Sequence, residues 1–175
     1  MLNLLLMKNH LENILKKSLI EFAKYVRNSN WKGRERETVS FFVTGFLSKY
    51  VKKGTLFYDL SQVIIEGAVS QMPSCIKKHC NKDLLIWPRP GMTCWNHNWE
   101  PVKVPLAIME WKVHRPKTKS FNTFHKHDLQ WLSWFTSKYS GTIGLTVALD
   151  LSVNPFLLYA AFCKKGKQNL QWLKC

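Results

Sequence analysis

Five short runs of β-branched and aromatic residues follow Gly54, and they constrain the fold of this chain more than any other feature. We expect strands over residues 60–69, 84–87, 104–113, 143–149 and 156–162, because turn residues separate the runs. Between the third and fourth runs, residues 125–139 carry apolar side chains at helical spacing. The sequence therefore predicts an α/β fold with a central mixed sheet of about five strands and a helix packed on it.

The residues before Gly54 have a helical pattern. Apolar side chains recur every three or four positions from residue 2 to about residue 28, which is typical of an amphipathic helix. A second helix is predicted from about Glu37 to Val51, where Lys52, Lys53 and Gly54 end it. We expect residues 1–54 to form a helical pair that packs on or extends a core of residues 55–175, within one compact domain.

The charge balance predicts a polyanionic partner. Lys and Arg total 26 against 11 Asp and Glu, which gives a formal net charge of +15. Nucleic acid is the first candidate, with DNA favoured over RNA, and an anionic membrane surface is the second. No apolar run reaches the roughly 20 residues that cross a bilayer. The five cysteines form no tight framework, so we expect reduced thiols and an intracellular, cytoplasmic protein, associated with the nucleoid if it acts on DNA.

Two acids and a lysine lie at the ends of predicted strands. Glu110 and Lys112 follow an apolar run and, because side chains alternate along a strand, they project from the same face. Asp83 begins another buried strand, which a neighbouring position in the sheet would bring beside Glu110. Two carboxylates this close repel each other unless a cation or a proton lies between them.

Mg²⁺ or Mn²⁺ is the cation that this pattern favours. Both ions prefer carboxylate, carbonyl and water oxygens, so Asp83, Glu110 and the backbone carbonyl of Trp111 are the predicted ligands. Metal ions held by carboxylates activate water and stabilise charge at a phosphate. Lys112 would orient the attacking water or neutralise the transition state.

The order of these residues resembles the PD-(D/E)XK nuclease superfamily. An acid before a short apolar strand, a loop, a strand ending in Glu-x-Lys and then a helix are shared over about residues 60–163. The resemblance implies a restriction-endonuclease-like fold and a metal-dependent DNA endonuclease, with Asp83, Glu110 and Lys112 in the catalytic roles. It also implies an upstream acid, for which Glu66 is the candidate. Lys82 stands where the motif has proline, and the interval between Asp83 and Glu110 is longer than in compact members.

Basic residues flank the predicted site and are expected to contact phosphates. They are Lys77, Lys78, Lys82, Arg89, Arg115, Lys117, Lys119 and Lys126. Gln130, on the helix after the Glu-x-Lys strand, invites comparison with subfamilies that place a glutamine there to help bind substrate. Lys164, Lys165 and Lys167, after the last predicted strand, would extend this basic surface.

Other interpretations remain open from the sequence. A catalytically inactive nuclease fold that only binds nucleic acid is the chief alternative, since a fold does not establish activity. A third is an adaptor in which the helix of residues 2–28 docks onto a second copy or another subunit. Cys75, Cys80, Cys94 and His97 offer soft ligands for zinc, but their loose spacing favours core or loop roles.

Overall fold

The structure is a computed structural model that describes residues 2–116 and 126–175, with side chains from residue 10 onward. Three α-helices are present in these ranges: α1 (Leu2–Ser29), α2 (Glu35–Gly45) and α3 (Lys126–Lys138). Short 3-10 helices span Leu47–Tyr50 and Leu60–Gln62. None of the described helices is both long and apolar enough to cross a membrane.

The strands form one mixed sheet. They are β1 (Val63–Ser70), β2 (His79–Ile86), β3 (Ala107–His114), β4 (Ile143–Asp150), β5 (Leu157–Lys164) and β6 (Lys167–Lys174). Their order in the sheet is the order in the chain, and every neighbouring pair is antiparallel except β3 and β4. Because β3 and β4 are parallel, the chain must cross over between them, and α3 lies in that crossover. The predicted α/β class with a mixed sheet is confirmed.

The expected number of strands was wrong, because the sheet has six strands and not five. Lys165 and Gly166 both have positive φ, 51° and 76°, and they turn the chain from β5 into β6. β6 carries mostly exposed polar side chains on the edge of the sheet, so it lacks the apolar alternation that reveals a strand. The lysines around this turn therefore belong to a hairpin, and not to a segment after the last strand.

α2 ends earlier than its sequence pattern suggests. It stops at Gly45, where the predicted helix continues to Val51. Phe46 leaves helical geometry with φ −128° and ψ −53°, and its side chain is only 5% exposed. Its ring packs edge-on against that of Phe22, with 5.3 Å between the centroids. Burial of the Phe46 ring in the core therefore accompanies the end of the helix, and a short 3-10 turn replaces the last turn.

Two apolar layers cover the sheet. On one side α1 and α2 pack against alternate residues of the central strands, including Leu84, Met109 and Trp111. On the other side α3 packs against Leu85 and Ile108. Both helices of the N-terminal section thus contribute to the main core.

The apolar face of α1 is used within this chain. Leu11, Leu15 and Leu19 are 2%, 0% and 0% exposed. A partner that docked onto this helix would meet its exposed residues, among them Ile20 and Tyr25, which are 42% and 44% exposed.

Candidate functional site

β2 and β3 separate in the middle of the sheet. They pair at Leu84 with Met109 and at the next two positions toward the end of β2, but no further pairs continue toward its start. At the point of separation the Trp111 N–H donates a hydrogen bond of 2.6 Å to Asp83 Oδ2. A side chain therefore replaces the backbone ladder here, and it opens a gap between the two strands.

The alternation of side chains along β2 inverts at the same point. Leu84 faces α1 and α2, but Lys82, two residues earlier, lies against Trp131 of α3 on the opposite side of the sheet. Glu66, on the facing part of β1, has a φ of 56°, which is uncommon for a residue other than glycine. The inversion directs Asp83 toward α2 and Lys82 toward α3.

Lys82 and Glu110 form a buried ion pair beneath α3. The Lys82 ammonium donates to Glu110 Oε1, and each side chain is 8% exposed. The same ammonium lies 3.9 Å from the centroid of the Trp131 ring, an arrangement that favours a cation. Sequence reasoning expected Lys82 to contact phosphates from the surface, whereas the structure places it in the interior.

Burial dominates the ionisation of Glu110. It raises the pKa of Glu110 to about 7, against the lowering effect of the Lys82 ammonium. The charges of Asp83 and Asp128 raise it further. A carboxylate in such surroundings gains from any additional cation.

Lys112 lies across the gap from the start of α2. Its ammonium is 3.5 Å from Glu35 Oε1, and both side chains are 41% exposed. Burial raises the pKa of Glu35, and Lys112 lowers it while Asp83 raises it. Burial alone would lower the pKa of Lys112, but Glu35 and Asp83 raise it above its ordinary value. Lys112 is therefore a cation surrounded by acids, and a phosphate that bound it would compete with Glu35.

Glu66 lies at the rim of the site. Glu35, Asp83 and Glu66 line one pocket of about 240 Å³, together with Arg36. Arg36 binds Glu66 through two hydrogen bonds of 2.7 and 2.9 Å, and the Glu66 side chain is 47% exposed. The Glu66 carboxylate is thus already paired with a guanidinium, outside the gap between β2 and β3.

Sequence reasoning missed two acids near this gap, Glu35 and Asp128. Both lie in the first turn of a helix, where an acid is adequately explained by the helix dipole. The charge of Glu35 raises the pKa of Lys112, and the charge of Asp128 raises the pKa values of both Glu110 and Lys112. The sequence signal that could have identified Glu35 and Asp128 is an acid in the first turn of a helix that comes before or after the Glu-x-Lys strand in the chain.

The predicted phosphate-binding residues divide between two ends of the sheet. Lys77 and Lys78 precede β2 and Arg89 follows it, so they are separated by a strand roughly 25 Å long. Arg115 follows β3, which runs antiparallel to β2, and therefore lies at the end where β2 begins. Lys126 and Gln130 are exposed on the first turns of α3. Lys117 and Lys119 lie outside the described residues.

Other clusters of reactive side chains do not form a second site. Cys94 is buried and Cys75 exposed, and among the described residues no group of three or more His, Cys, Asp or Glu side chains is arranged to hold a metal ion. Ser152 and Asp150 both approach the same ring nitrogen of His114, at 2.9 and 3.0 Å. A nucleophile and an orienting acid would need opposite nitrogens, so this cluster stabilises the turn after β4.

The oxygen donors around the gap are of the kind that hard divalent cations prefer, although no group of three or more His, Cys, Asp or Glu side chains among the described residues, this set included, is arranged to hold a metal ion. Glu35, Asp83 and Glu110 contribute carboxylates from three elements, and their charges influence one another or Lys112. The Trp111 carbonyl faces the same side of β3 as its N–H, which already bonds Asp83. Oxygen ligands of these kinds suit Mg²⁺ or Mn²⁺.

Comparisons with models of protein families, with curated proteins and with solved structures gave no match for this chain. The arrangement of carboxylates and lysines around the gap is therefore the basis of the functional interpretation.

Proposed function

We propose that this protein is a metal-dependent nuclease that hydrolyses phosphodiester bonds, with DNA as the favoured substrate. The observation that carries the proposal is the separation of β2 and β3, where Asp83 accepts the Trp111 N–H between Glu110 and Lys112, and where Lys112 pairs with Glu35 of α2. Acids and a lysine in this combination stabilise the charges that develop when a phosphodiester is attacked by water. The net charge of +15 supports a polyanionic substrate.

The topology supports the restriction-endonuclease-like fold that the sequence resembles. Three antiparallel strands precede a helix, and the strand after that helix is parallel to β3. In this arrangement the Glu-x-Lys strand is central, with α2 on one side and α3 on the other. We infer that this core is a member of the PD-(D/E)XK superfamily.

The proposed roles follow from position and charge. A divalent cation held by Asp83, Glu110 and the Trp111 carbonyl would lower the pKa of a bound water and offset negative charge on the phosphate. The Lys112 ammonium donates hydrogen bonds to the attacking water or to a phosphate oxygen. Glu35 holds Lys112 in place, at 3.5 Å, until substrate competes for it. The Trp111 N–H fixes the orientation of Asp83.

Lys82 has a distinct part in this proposal. Its ammonium hydrogen-bonds Glu110, the carboxylate that would also hold the metal, so Glu110 would have to accommodate both cations. Trp131 provides an alternative contact for the ammonium, 3.9 Å from the ring centroid. The ion pair therefore offsets the cost of burying the charged Glu110 side chain before a metal binds.

The test is cleavage of labelled DNA and RNA with each metal by isosteric variants. We expect Mg²⁺- or Mn²⁺-dependent cutting that falls about 100-fold or more in Glu110→Gln, Asp83→Asn and Lys112→Met. Glu21→Gln is the matched control, because Glu21 is a glutamate of α1 whose partners are Tyr50 and Lys49. Undiminished cleavage by Glu110→Gln contradicts the mechanism.

A comparison of Glu35→Gln with Glu66→Gln tests the choice of the additional acid. Glu35 contacts Lys112, whereas Glu66 is paired with Arg36, so cleavage should fall further in the Glu35 variant. A larger loss in Glu66→Gln would instead support the acid that the sequence pattern favoured.

The second candidate is a nucleic-acid-binding module without catalysis. The Lys82–Glu110 pair favours it, because an internal ammonium already neutralises the central glutamate. This function predicts binding with a steep salt dependence and no cleavage with any metal, in wild type and variants alike.

A further inference from the structure

A groove lies at the end of the sheet where the parallel strands β3 and β4 have their carboxyl ends. Two neighbouring pockets form it, of about 230 and 370 Å³, and both are lined by Lys32 and Leu151. The first also contains Arg34 and Arg115, and the second contains Arg27. Open α/β sheets commonly bind ligands outside the carboxyl ends of their parallel strands.

The charge of this groove is strongly positive. Its four cations come from three separate parts of the chain: the end of α1, the entry to α2 and the residue after β3. The one acidic residue in the two linings is Glu37, whose carboxylate accepts the Arg34 N–H at 2.7 Å. The Glu37 carboxylate already interacts with the N-terminal end of α2. The groove as a whole therefore attracts anions.

The second pocket adds neutral polar groups. Asn30, Ser152 and Asn154 line it, and the Ser152 hydroxyl lies between Asp150 and His114, at 2.6 and 2.9 Å. Arg27 Nε donates to the Phe156 carbonyl at 3.4 Å, which ties α1 to the turn between β4 and β5. The groove is therefore built on positions that the fold holds together.

The groove continues toward the proposed catalytic residues. Arg34 in the first pocket directly precedes Glu35, which contacts Lys112 and lines the pocket that contains Asp83. Arg115 follows Lys112 by three residues. An anion that occupied the groove would lie next to the gap between β2 and β3.

We propose that this groove binds the sugar-phosphate backbone of a nucleic-acid strand on one side of the bond to be cleaved. The proposal rests on the proposed function for the position of that bond. Charges spread over two connected pockets match the repeated phosphates of a strand better than one compact anion, which needs cations around a single point. Contacts to phosphate position a strand without reading its sequence.

The experiment is a salt titration of binding in EDTA, which separates binding from cleavage. The full chain is compared with the triple variant Lys32→Ala, Arg34→Ala, Arg115→Ala by fluorescence anisotropy on a labelled DNA oligonucleotide. Each lost phosphate contact lowers the slope of log K against log salt by about 0.7 to 0.9. The expected result is a slope less steep by about 2 to 3.

Two control variants make the result specific. Lys52→Ala, Lys53→Ala, Lys138→Ala also removes three charges, from residues that line neither pocket of the groove, and should leave the slope nearly unchanged. The charge-preserving variant Lys32→Arg, Arg34→Lys, Arg115→Lys should retain the slope and shows that the groove region still folds. An unchanged slope in the groove variant, or an equal change in the control, overturns the proposal.

The outcomes distinguish the groove from the catalytic site. A reduced slope without any metal-dependent cleavage would support the groove and contradict the nuclease function. Metal-dependent cleavage with an unchanged slope would support the nuclease and overturn the groove.

Discussion

At the scale of single residues, Lys82 and Glu110 are opposite charges that share one side of the sheet beneath α3. Each side chain is only 8% exposed, and burial raises the pKa of Glu110 to about 7. Removal of one partner from a buried pair leaves the other charge without compensation. Glu110 avoids this cost when it takes up a proton and becomes neutral. The Lys82 ammonium, in contrast, is stabilised by the Trp131 ring.

Lys82→Met should destabilise the protein more at pH 8 than at pH 5. Loss of the ammonium raises the pKa of Glu110 further, so the folded state holds a proton that the unfolded state has released, and stability falls as pH rises. We expect a loss of about 3–5 kcal/mol at pH 8 and a smaller loss at pH 5, measured by urea unfolding.

The matched control is Lys49→Met. Lys49 lies 3.8 Å from Glu21 on the surface, with side chains 57% and 45% exposed, so its loss should cost less than about 1 kcal/mol. An equal cost for Lys82→Met at the two pH values would contradict the proposed coupling to Glu110.

At the scale of secondary-structure elements, the packing of α3 on the sheet positions the Trp131 ring against Lys82. Gly144 in β4 allows this approach. A Cβ at Gly144 would lie 2.9 Å from Leu132 Cδ2 and 3.2 Å from Leu132 Cβ. Contacts so short would force α3 or the strand to move.

Gly144→Ala should therefore cost about 1–3 kcal/mol of stability through overpacking. Combination with Leu132→Val, which removes one of the contacting atoms, should cost less than the sum of the two single changes. Urea unfolding of the four proteins in this cycle measures the coupling. Additive losses would show that the close approach does not limit the packing of α3.

The sequence identified the elements with regular patterns and missed those that depend on tertiary contacts. The apolar alternation of β3 and the helical spacing of α3 are local signals, and both elements formed within a few residues of their predicted bounds. β6 is a polar edge strand without such a signal. The inversion at Asp83 lies beside a positive φ at Glu66, which the presence of a glutamate does not predict.

The same reasoning applies to the candidate site. Strand alternation predicted that Glu110 and Lys112 project together, whereas in the structure Glu110 pairs with Lys82 beneath α3 and Lys112 pairs with Glu35 of α2. Glu35 is distant in sequence and reaches Lys112 only after α2 packs across the sheet. Long-range packing of this kind leaves no periodic trace in a single sequence.

At the scale of the whole molecule, a cluster of aromatic rings joins the N-terminal helices to the sheet. Phe22 of α1 is fully buried, and its ring centroid lies 5.8 Å from those of Phe42 in α2 and Trp111 in β3. Trp111 is also the residue whose N–H holds Asp83. The stability of the core and the geometry of the site are therefore linked through one residue.

Phe22→Ala should destabilise the whole protein by about 3–5 kcal/mol, because it leaves a cavity among these rings. Far-UV and near-UV circular dichroism should show the same unfolding transition if the helices and the sheet form one cooperative unit. Ile20→Ala on the exposed face of α1 is the control and should change stability by no more than about 0.5 kcal/mol. Separate transitions would contradict a single cooperative unit.

The most direct test of the central claim is a paired measurement of DNA binding and metal-dependent cleavage by wild type and Glu110→Gln. We expect wild type to cut with Mg²⁺ or Mn²⁺, and the variant to bind DNA in EDTA with similar affinity but to cut at least about 100-fold more slowly. Equal cleavage by the two proteins, or binding by wild type with no cleavage in either metal, would contradict the central claim.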